Sequence, residues 1–205
     1  MKNKEHLIML GDSITNGFDG HQDLEKNVSY YIKQLNPELS ITNAGVNAGT
    51  ICGHSERDLS YQVESHNFAD YQLATIFYGT NDFAHREETL EILGRILQKN
   101  IDIILEENSK IKIYGILPIN RFDGGIDNFN VDGLSQYTFG ELLEKLSTIY
   151  KANNIPVLNW RNVAPQLLTE TNYYTALGDH RLHPNSETYH QMAKVISHFI
   201  FKHNQ

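Results

Sequence analysis

The chain has little of what secreted, membrane-spanning and nucleic-acid-binding proteins depend on. Its 205 residues include one cysteine, Cys52, so no disulfide can form within the chain, and we expect a reducing, cytoplasmic location. No apolar run approaches the roughly 18 residues of a membrane span, and the run at 7–10 is shorter than the roughly 7 residues of a secretion signal. Acidic residues number 25 against 17 basic ones, and the net charge of −8 argues against nucleic acid or an anionic membrane as a partner.

Short apolar segments alternate with amphipathic ones along the chain. The predicted strands cover 7–10, 39–46, 73–78, 111–117 and 155–160. The predicted helices cover 18–35, 51–66, 86–107, 134–153 and 185–202, with a long loop at 120–133 and a mixed segment at 162–179. This alternation is typical of a parallel sheet covered by helices on both faces. Because no repeat or linker interrupts it, we expect residues 1–205 to form a single-domain, three-layer α/β/α sandwich.

Four candidate site residues lie at turns that such a sheet brings together. Ser13, Gly45 and Asn81 follow the first three predicted strands, and His183 precedes the last helix. The carboxyl ends of parallel strands meet at one edge of the sheet. A serine becomes a nucleophile when a base such as histidine takes its proton, and the oxyanion that forms on an acyl substrate needs fixed N–H donors. The backbone of Ser13, the backbone of Gly45 and the side chain of Asn81 are candidate donors.

Each of these turns also has an ordinary structural explanation. Asp12 and Ser13 are favoured helix caps, and 43–50 reads as a tight turn. Thr80 or Asn81 is a suitable cap for a following helix, and His183-Pro184 is typical of a helix entry. These explanations do not account for the joint occurrence of the four turns, in this order and after these strands.

Four sequence blocks resemble those of the SGNH (GDSL) hydrolases. The blocks are Gly11-Asp12-Ser13-Ile14-Thr15, Asn43-Ala44-Gly45-Val46-Asn47-Ala48-Gly49-Thr50, Gly79-Thr80-Asn81-Asp82 and His183-Pro184-Asn185. The resemblance implies a flavodoxin-like five-stranded sheet of order 2-1-3-4-5 and an esterase or acylhydrolase that uses neither metal nor cofactor. By motif, Ser13 is similar to the nucleophile, Gly45 and Asn81 to the oxyanion donors, and His183 to the base.

The last block departs from the pattern of the family it resembles. The family usually has Asp-x-x-His-Pro, but here His180 stands three residues before His183, and the nearest carboxylate is Asp179. One interpretation is that the loop carries an extra residue and Asp179 still orients the imidazole. The other is that a backbone carbonyl does so. We expect the first, because a bulged loop re-aims a side chain at little cost.

Three other interpretations stay open at this stage. Residues 13–17 weakly resemble a hydroxyl-rich phosphate loop, which would suit a flavin-binding flavodoxin-like protein. The His180 anomaly suits a non-catalytic member that binds an ester or glycan. A metal site built from Asp179, His180 and His183 is the third, less favoured alternative.

The sequence also bears on the class of substrate. No apolar lid helix suggests action at a lipid surface, so we expect a small soluble or carbohydrate-linked ester. Four aromatic side chains either line an acyl or sugar pocket or serve as packing: Phe122, Phe129, Tyr173 and Tyr174.

Overall fold

A computed structural model describes residues 5–204, and at its centre is a five-stranded sheet. The strands are β1 (His6–Gly11), β2 (Ser40–Gly45), β3 (Leu73–Phe77), β4 (Lys112–Ile116) and β5 (Val157–Leu158). All neighbouring pairs are parallel, and the spatial order is β2-β1-β3-β4-β5. The strand order implied by the resemblance is therefore confirmed. Gly11 pairs in register with Gly45 on one side and Phe77 on the other, so β1 to β3 end together.

Helices cover both faces of this sheet. They are α1 (Ser13–Asn16), α2 (Val28–Leu35), α3 (Leu59–Glu64), α4 (Thr80–His85), α5 (Leu90–Glu107), α6 (Phe139–Ala152), α7 (Trp160–Val163), α8 (Tyr173–Ala176) and α9 (Ser186–His203). Short 3₁₀ turns occupy Phe68–Asp70, Asp123–Gly125 and Asn128–Asn130.

Two apolar cores lie on opposite faces of the sheet. Along β1, Leu7 and Met9 join the core that contains α2 and α9, while Ile8 and Leu10 join the core that contains α3, α5 and α6. All four side chains are at most 1% exposed. Alternate residues of a strand point to opposite faces, so a continuous apolar run is what a strand buried on both faces requires. The predicted three-layer α/β arrangement is confirmed.

The helix predicted over 18–35 is wrong in its first half, because α2 begins only at Val28. Asn27 caps it by accepting a hydrogen bond from Tyr30 N at 3.1 Å. The preceding residues pack instead against the loop before His183. Gly20 has φ 99°, and a Cβ there would lie 2.4 Å from Cβ of Asp179, while His21 Nε2 bonds to the carbonyl of Gly178 at 3.0 Å.

The helix predicted over 51–66 is also shorter, as α3 begins at Leu59. The carboxylate of Asp58 turns back and accepts from the backbone of Thr50 and Ser55, both at 2.8 Å. These hydrogen bonds hold the residues between them in a turn rather than a helix.

The remaining boundaries differ from the predicted ones by a few residues. The helix predicted from residue 86 begins at Leu90, and α4 was not predicted as a separate helix. A capping box between Thr138 and Glu141 starts α6 after the predicted position. The strand predicted over 155–160 shrinks to β5 because Trp160 already begins α7.

Candidate active site

The turn after β1 places Ser13 at the carboxyl edge of the sheet. Asp12 caps α1, its Oδ1 accepting from Ile14 N at 2.9 Å, and Ser13 is the first residue of that helix. Gly11 permits the close approach that this turn needs: a Cβ there would lie 1.9 Å from Oγ1 of Thr15. The same turn therefore both caps α1, through Asp12, and places Ser13 at the carboxyl edge of the sheet.

Ser13, His183 and Asp179 form a continuous hydrogen-bond chain. Oγ of Ser13 lies 3.0 Å from Nε2 of His183, and Nδ1 of His183 lies 2.7 Å from Oδ2 of Asp179. An ionised carboxylate only accepts hydrogen bonds, so Nδ1 carries the proton of the neutral ring and Nε2 is free to accept from the serine. This arrangement can remove a proton from Ser13 and return it to a leaving group.

The loop before His183 brings Asp179 to the imidazole despite the altered spacing. Oδ1 of Asp179 accepts from the backbone N–H groups of Arg181, Leu182 and His183 at 3.0, 2.8 and 3.0 Å. His180 takes φ 55°, the left-handed conformation, which accommodates the additional residue. Its ring stacks on Tyr174 at 3.8 Å and bonds to the Tyr174 carbonyl, so it faces away from His183.

The protonation state of Asp179 follows from these contacts. Partial burial raises the pKa of its carboxyl. The hydrogen bonds from the His183 side chain and from the backbone N–H groups outweigh that effect and leave the pKa below its ordinary value. Asp179 is consequently a carboxylate at neutral pH and can stabilise an imidazolium.

Asn81 lies on the first turn of α4, and its side chain is 7% exposed. Nδ2 donates one hydrogen to the carbonyl of Gly49 at 3.0 Å. The amide NH₂ group has a second hydrogen, which can donate a hydrogen bond to another acceptor.

The turn after β2 offers two backbone amides with different surroundings. Gly45, the predicted donor, already donates its N–H to Oδ1 of Asn43 at 3.0 Å. Gly45 also packs tightly on α1, since a Cβ there would lie 2.3 Å from Asn16 N. Ala48 is exposed, has φ 61°, and its N–H meets no acceptor within residues 5–204.

Two buried carboxylates, those of Asp12 and Asp82, belong to the turns that carry Ser13 and Asn81. Asp82, fully buried, accepts from the backbone N–H groups of Ile51 and Cys52 at about 2.9 Å, and burial raises its pKa to about 6. Burial, with a further contribution from the charge of Asp82, raises the pKa of Asp12 to about 7. Asp82 thus links α4 to the turn at 51–52, a role that its place in the block Gly79-Thr80-Asn81-Asp82 did not reveal.

Sequence reasoning also missed Phe18. Its ring meets that of His183 edge to face, with centroids 4.9 Å apart. Its carbonyl accepts from Tyr189 of α9 at 2.7 Å. The predicted helical pattern over 18–35 obscured this contact.

Neither a metal cluster nor a membrane span is found in the part of the chain that the structure describes. Within residues 5–204, no group of three or more His, Cys, Asp or Glu side chains is arranged to hold a metal ion. The helices of that same range include none with the length and apolarity to cross a bilayer.

Comparisons with known proteins agree with this architecture. A sequence model of the GDSL-like lipase/acylhydrolase family matches residues 9–191. Among solved structures, the lipase/acylhydrolase from Enterococcus faecalis superposes with a TM-score of 0.72 at 20% identity, covering 96% of this chain and 95% of that one. An inhibitor-bound aryl esterase from M. smegmatis gives a TM-score of 0.73 at 15% identity, covering 97% and 99%. A protein from Lactobacillus plantarum gives 0.79 at 16%, covering 99% of both chains. No curated protein sequence matches the chain.

Proposed function

We propose that this chain, which belongs to the GDSL-like lipase/acylhydrolase family, is a serine esterase that hydrolyses a carboxylic ester through an acyl-Ser13 intermediate. The observation that carries the proposal is the hydrogen-bond chain from Ser13 Oγ to His183 Nε2, at 3.0 Å, and from His183 Nδ1 to Asp179, at 2.7 Å. A nucleophile, a base and an orienting carboxylate in this order are what acyl transfer by serine requires.

The reaction proceeds in two halves. Oγ of Ser13 attacks the carbonyl carbon as Nε2 of His183 takes its proton, giving a tetrahedral oxyanion and an imidazolium. Collapse of the oxyanion breaks the bond to the alcohol, which leaves with the proton from His183. Water, deprotonated by the same imidazole, then attacks the acyl-serine, and the second tetrahedral species releases the acid and restores Ser13.

The oxyanion needs donors fixed in advance of the reaction. We assign this task to the N–H of Ser13, the free hydrogen of the Asn81 amide, and a backbone N–H of the turn after β2. Gly45 is the donor that the sequence indicates, but its N–H already has an acceptor in Asn43. The N–H of Ala48, which meets no acceptor within the described range, is the stronger candidate on that turn.

We propose a small soluble or carbohydrate-linked ester as substrate. The aryl esterase and the lipase/acylhydrolase that share this fold support an ester bond as the target. Three of the four aromatic side chains considered for a pocket are engaged in packing. Phe122 stacks on Tyr173 at 4.5 Å. Phe129 lies under the guanidinium of Arg161 at 4.3 Å. Tyr174 remains 60% exposed and is the aromatic most available to a bound substrate.

The test is intact-mass spectrometry after exposure to a fluorophosphonate probe, followed by a screen of short-chain esters. We expect one adduct on the wild type and none on Ser13→Ala. Ser109→Ala is the matched control, because Ser109 is exposed and precedes β4 at the opposite edge of the sheet. The absence of an adduct on folded wild-type protein would contradict the proposal and favour a non-catalytic binding protein.

A further inference from the structure

The segment that follows β4 lies directly against the loop that carries Asp179 and His183. The backbone N–H of Phe122 donates to the carbonyl of Arg181 at 2.8 Å. The ring of Phe122, 1% exposed, stacks on Tyr173 at an interplanar angle of 15°. This segment is therefore one wall against which the histidine loop is packed.

The neighbouring side chain, Arg121, reaches the other half of the site. It is 1% exposed, and its Nη1 donates to the carbonyl of Thr80 at 2.8 Å and to Oγ1 of Thr80 at 3.1 Å. The guanidinium also lies over the ring of Phe83 at 5.3 Å. Thr80 immediately precedes Asn81 on α4, so Arg121 anchors the turn that presents the Asn81 amide.

Asp123 connects the two sides. Arg121 binds its carboxylate in a bidentate fork, Nε to Oδ2 at 2.8 Å and Nη2 to Oδ1 at 3.0 Å. Arg181 donates from Nη1 to the same Oδ1 at 3.2 Å. Nε of Arg181 lies 3.9 Å from Oδ2 of Asp179, the oxygen that accepts from His183.

The Arg121 half of this bridge differs from an ordinary surface ion pair, while Arg181 joins it through a single, half-exposed contact. Isolated exposed pairs contribute little, but a bidentate fork and a shared carboxylate are stronger and directional. The guanidinium of Arg121 is buried, so removing the charge of Asp123 would take from a buried cation the carboxylate to which it donates two hydrogen bonds. This cost favours the conformation in which the Asp123 carboxylate stays bound to Arg121.

We propose that Asp123 is a positioning residue. Its carboxylate, through Arg121 and Arg181, holds the two sides of the site at a fixed separation. Asp123 touches none of the reacting atoms, and the proposal rests on the esterase function proposed above. A displacement of roughly 1 Å between catalytic groups can cost about 10²-fold in rate, so a small relaxation of this bridge has a measurable effect.

The test compares Asp123→Asn with a matched control, Asp127→Asn. Asp127 lies on the same loop and also receives a guanidinium, from Arg161 Nη2 at 2.6 and 2.8 Å, but it does not bridge the two sides of the site. We expect Asp123→Asn to lower kcat by about 10- to 100-fold with little change in KM, because positioning acts on the transition state. Asp127→Asn keeps the wild-type kcat, and Asp123→Glu, which retains the charge, recovers part of the loss.

A second readout needs no substrate. The Nδ1 proton of His183, bonded to Asp179, gives a downfield proton NMR resonance, assigned by its loss in His183→Gln. We expect Asp123→Asn to broaden or shift this resonance and Asp127→Asn to leave it unchanged. Equal kcat and equal resonances in the two variants would overturn the proposal.

The two readouts separate failure of the bridge from failure of the esterase. If the wild type hydrolyses no ester, the proposed function fails, and the resonance alone decides whether Asp123 positions His183. If Asp123→Asn does not fold, Arg181→Met replaces it, since that side chain is 44% exposed and its loss removes only the link to the histidine loop. A reduced kcat or an altered resonance in Arg181→Met supports the proposal, and wild-type behaviour in both overturns it.

Discussion

Oδ2 of Asp179 lies 2.7 Å from Nδ1 of His183, although four positions separate the two residues along the chain. The residue that makes the spacing longer, His180, adopts φ 55° and turns its ring onto Tyr174. A left-handed conformation costs a non-glycine residue about 1–2 kcal/mol. Three backbone N–H groups bound to Oδ1 of Asp179 offset that cost and fix the loop.

The first prediction concerns the carboxylate. Asp179→Asn should lower kcat by up to about 10⁴-fold, because an amide no longer holds the imidazole in the tautomer that accepts the serine proton. The measurement is ester hydrolysis together with the rate of fluorophosphonate labelling, both of which depend on His183 as a base.

His180→Ala is the control for that variant. Its ring bonds to the Tyr174 carbonyl and not to His183, so we expect kcat within about threefold of the wild type, the range of a surface change that removes no transition-state contact. Near-wild-type activity of Asp179→Asn, or a large loss in His180→Ala, would reverse the assignment of the orienting residue.

Sequence reasoning recovered the parts of the fold that periodicity and turn chemistry encode. The continuous apolar run at 7–10 predicted a strand buried on both faces, and the four blocks predicted which turns meet. The prediction failed at 18–27, where contacts with a loop that is distant in sequence decide the conformation: Gly20 packs on Asp179, and His21 bonds to Gly178, 157 residues away. Local patterns carry no information about such partners.

Contacts between residues distant in sequence also explain why the roles of Arg121 and Asp123, and the free N–H of the turn after β2, were not predicted. The composition of residues 120–133 predicted a loop. It did not indicate that the side chain of Arg121 points inward to Thr80 and that Asp123 binds the same guanidinium. For the turn after β2, the sequence identified Gly45 by residue type. Which N–H is free depends on the side chain of Asn43, and this is visible only in three dimensions.

The second prediction concerns Asn81. Asn81→Ala should lower kcat by about 10²- to 10³-fold, the usual loss for one oxyanion donor. Asn108→Ala is a matched control, since its Nδ2 also donates to backbone carbonyls, those of Phe68 and Tyr71, but beyond the end of α5, before β4 begins. We expect that control to lose stability and keep its kcat per folded molecule. Equal kcat in the two variants would remove Asn81 from the oxyanion site.

The third prediction separates the two amides of the turn after β2. Replacing Ala48 by lactic acid exchanges its N–H for an ester oxygen and should lower kcat by about 10²- to 10³-fold if that N–H meets the oxyanion. Glycolic acid in place of Gly45 removes an N–H that is bonded to Asn43, so we expect lower stability with little change in kcat. The measurement is steady-state hydrolysis by folded protein, and the opposite pattern would return the role to Gly45.

The fourth prediction concerns the pH dependence of stability that arises from Asp12, the residue before Ser13. Burial raises the pKa of Asp12 from an ordinary value of 3.8 to about 7, and the groups that face it are Asp82 and Arg121. Between those two values the folded protein holds a proton that the unfolded chain has released. The free energy of unfolding contributed by this group therefore falls as the pH rises from about 4 to about 7, by roughly 1.4 kcal/mol per pH unit.

Asp12→Asn removes that ionisation while its side-chain oxygen can still accept from Ile14 N. We expect the variant to gain stability relative to the wild type as the pH rises from about 4 to about 7, with a constant difference above that range. Urea unfolding at a series of pH values measures the difference. Ser13→Ala, an adjacent change without a titratable group, should give a curve parallel to the wild type. If the Asp12→Asn curve is also parallel, the prediction is wrong: Asp12 does not hold a proton in the folded state, and its carboxylate is ionised across this pH range.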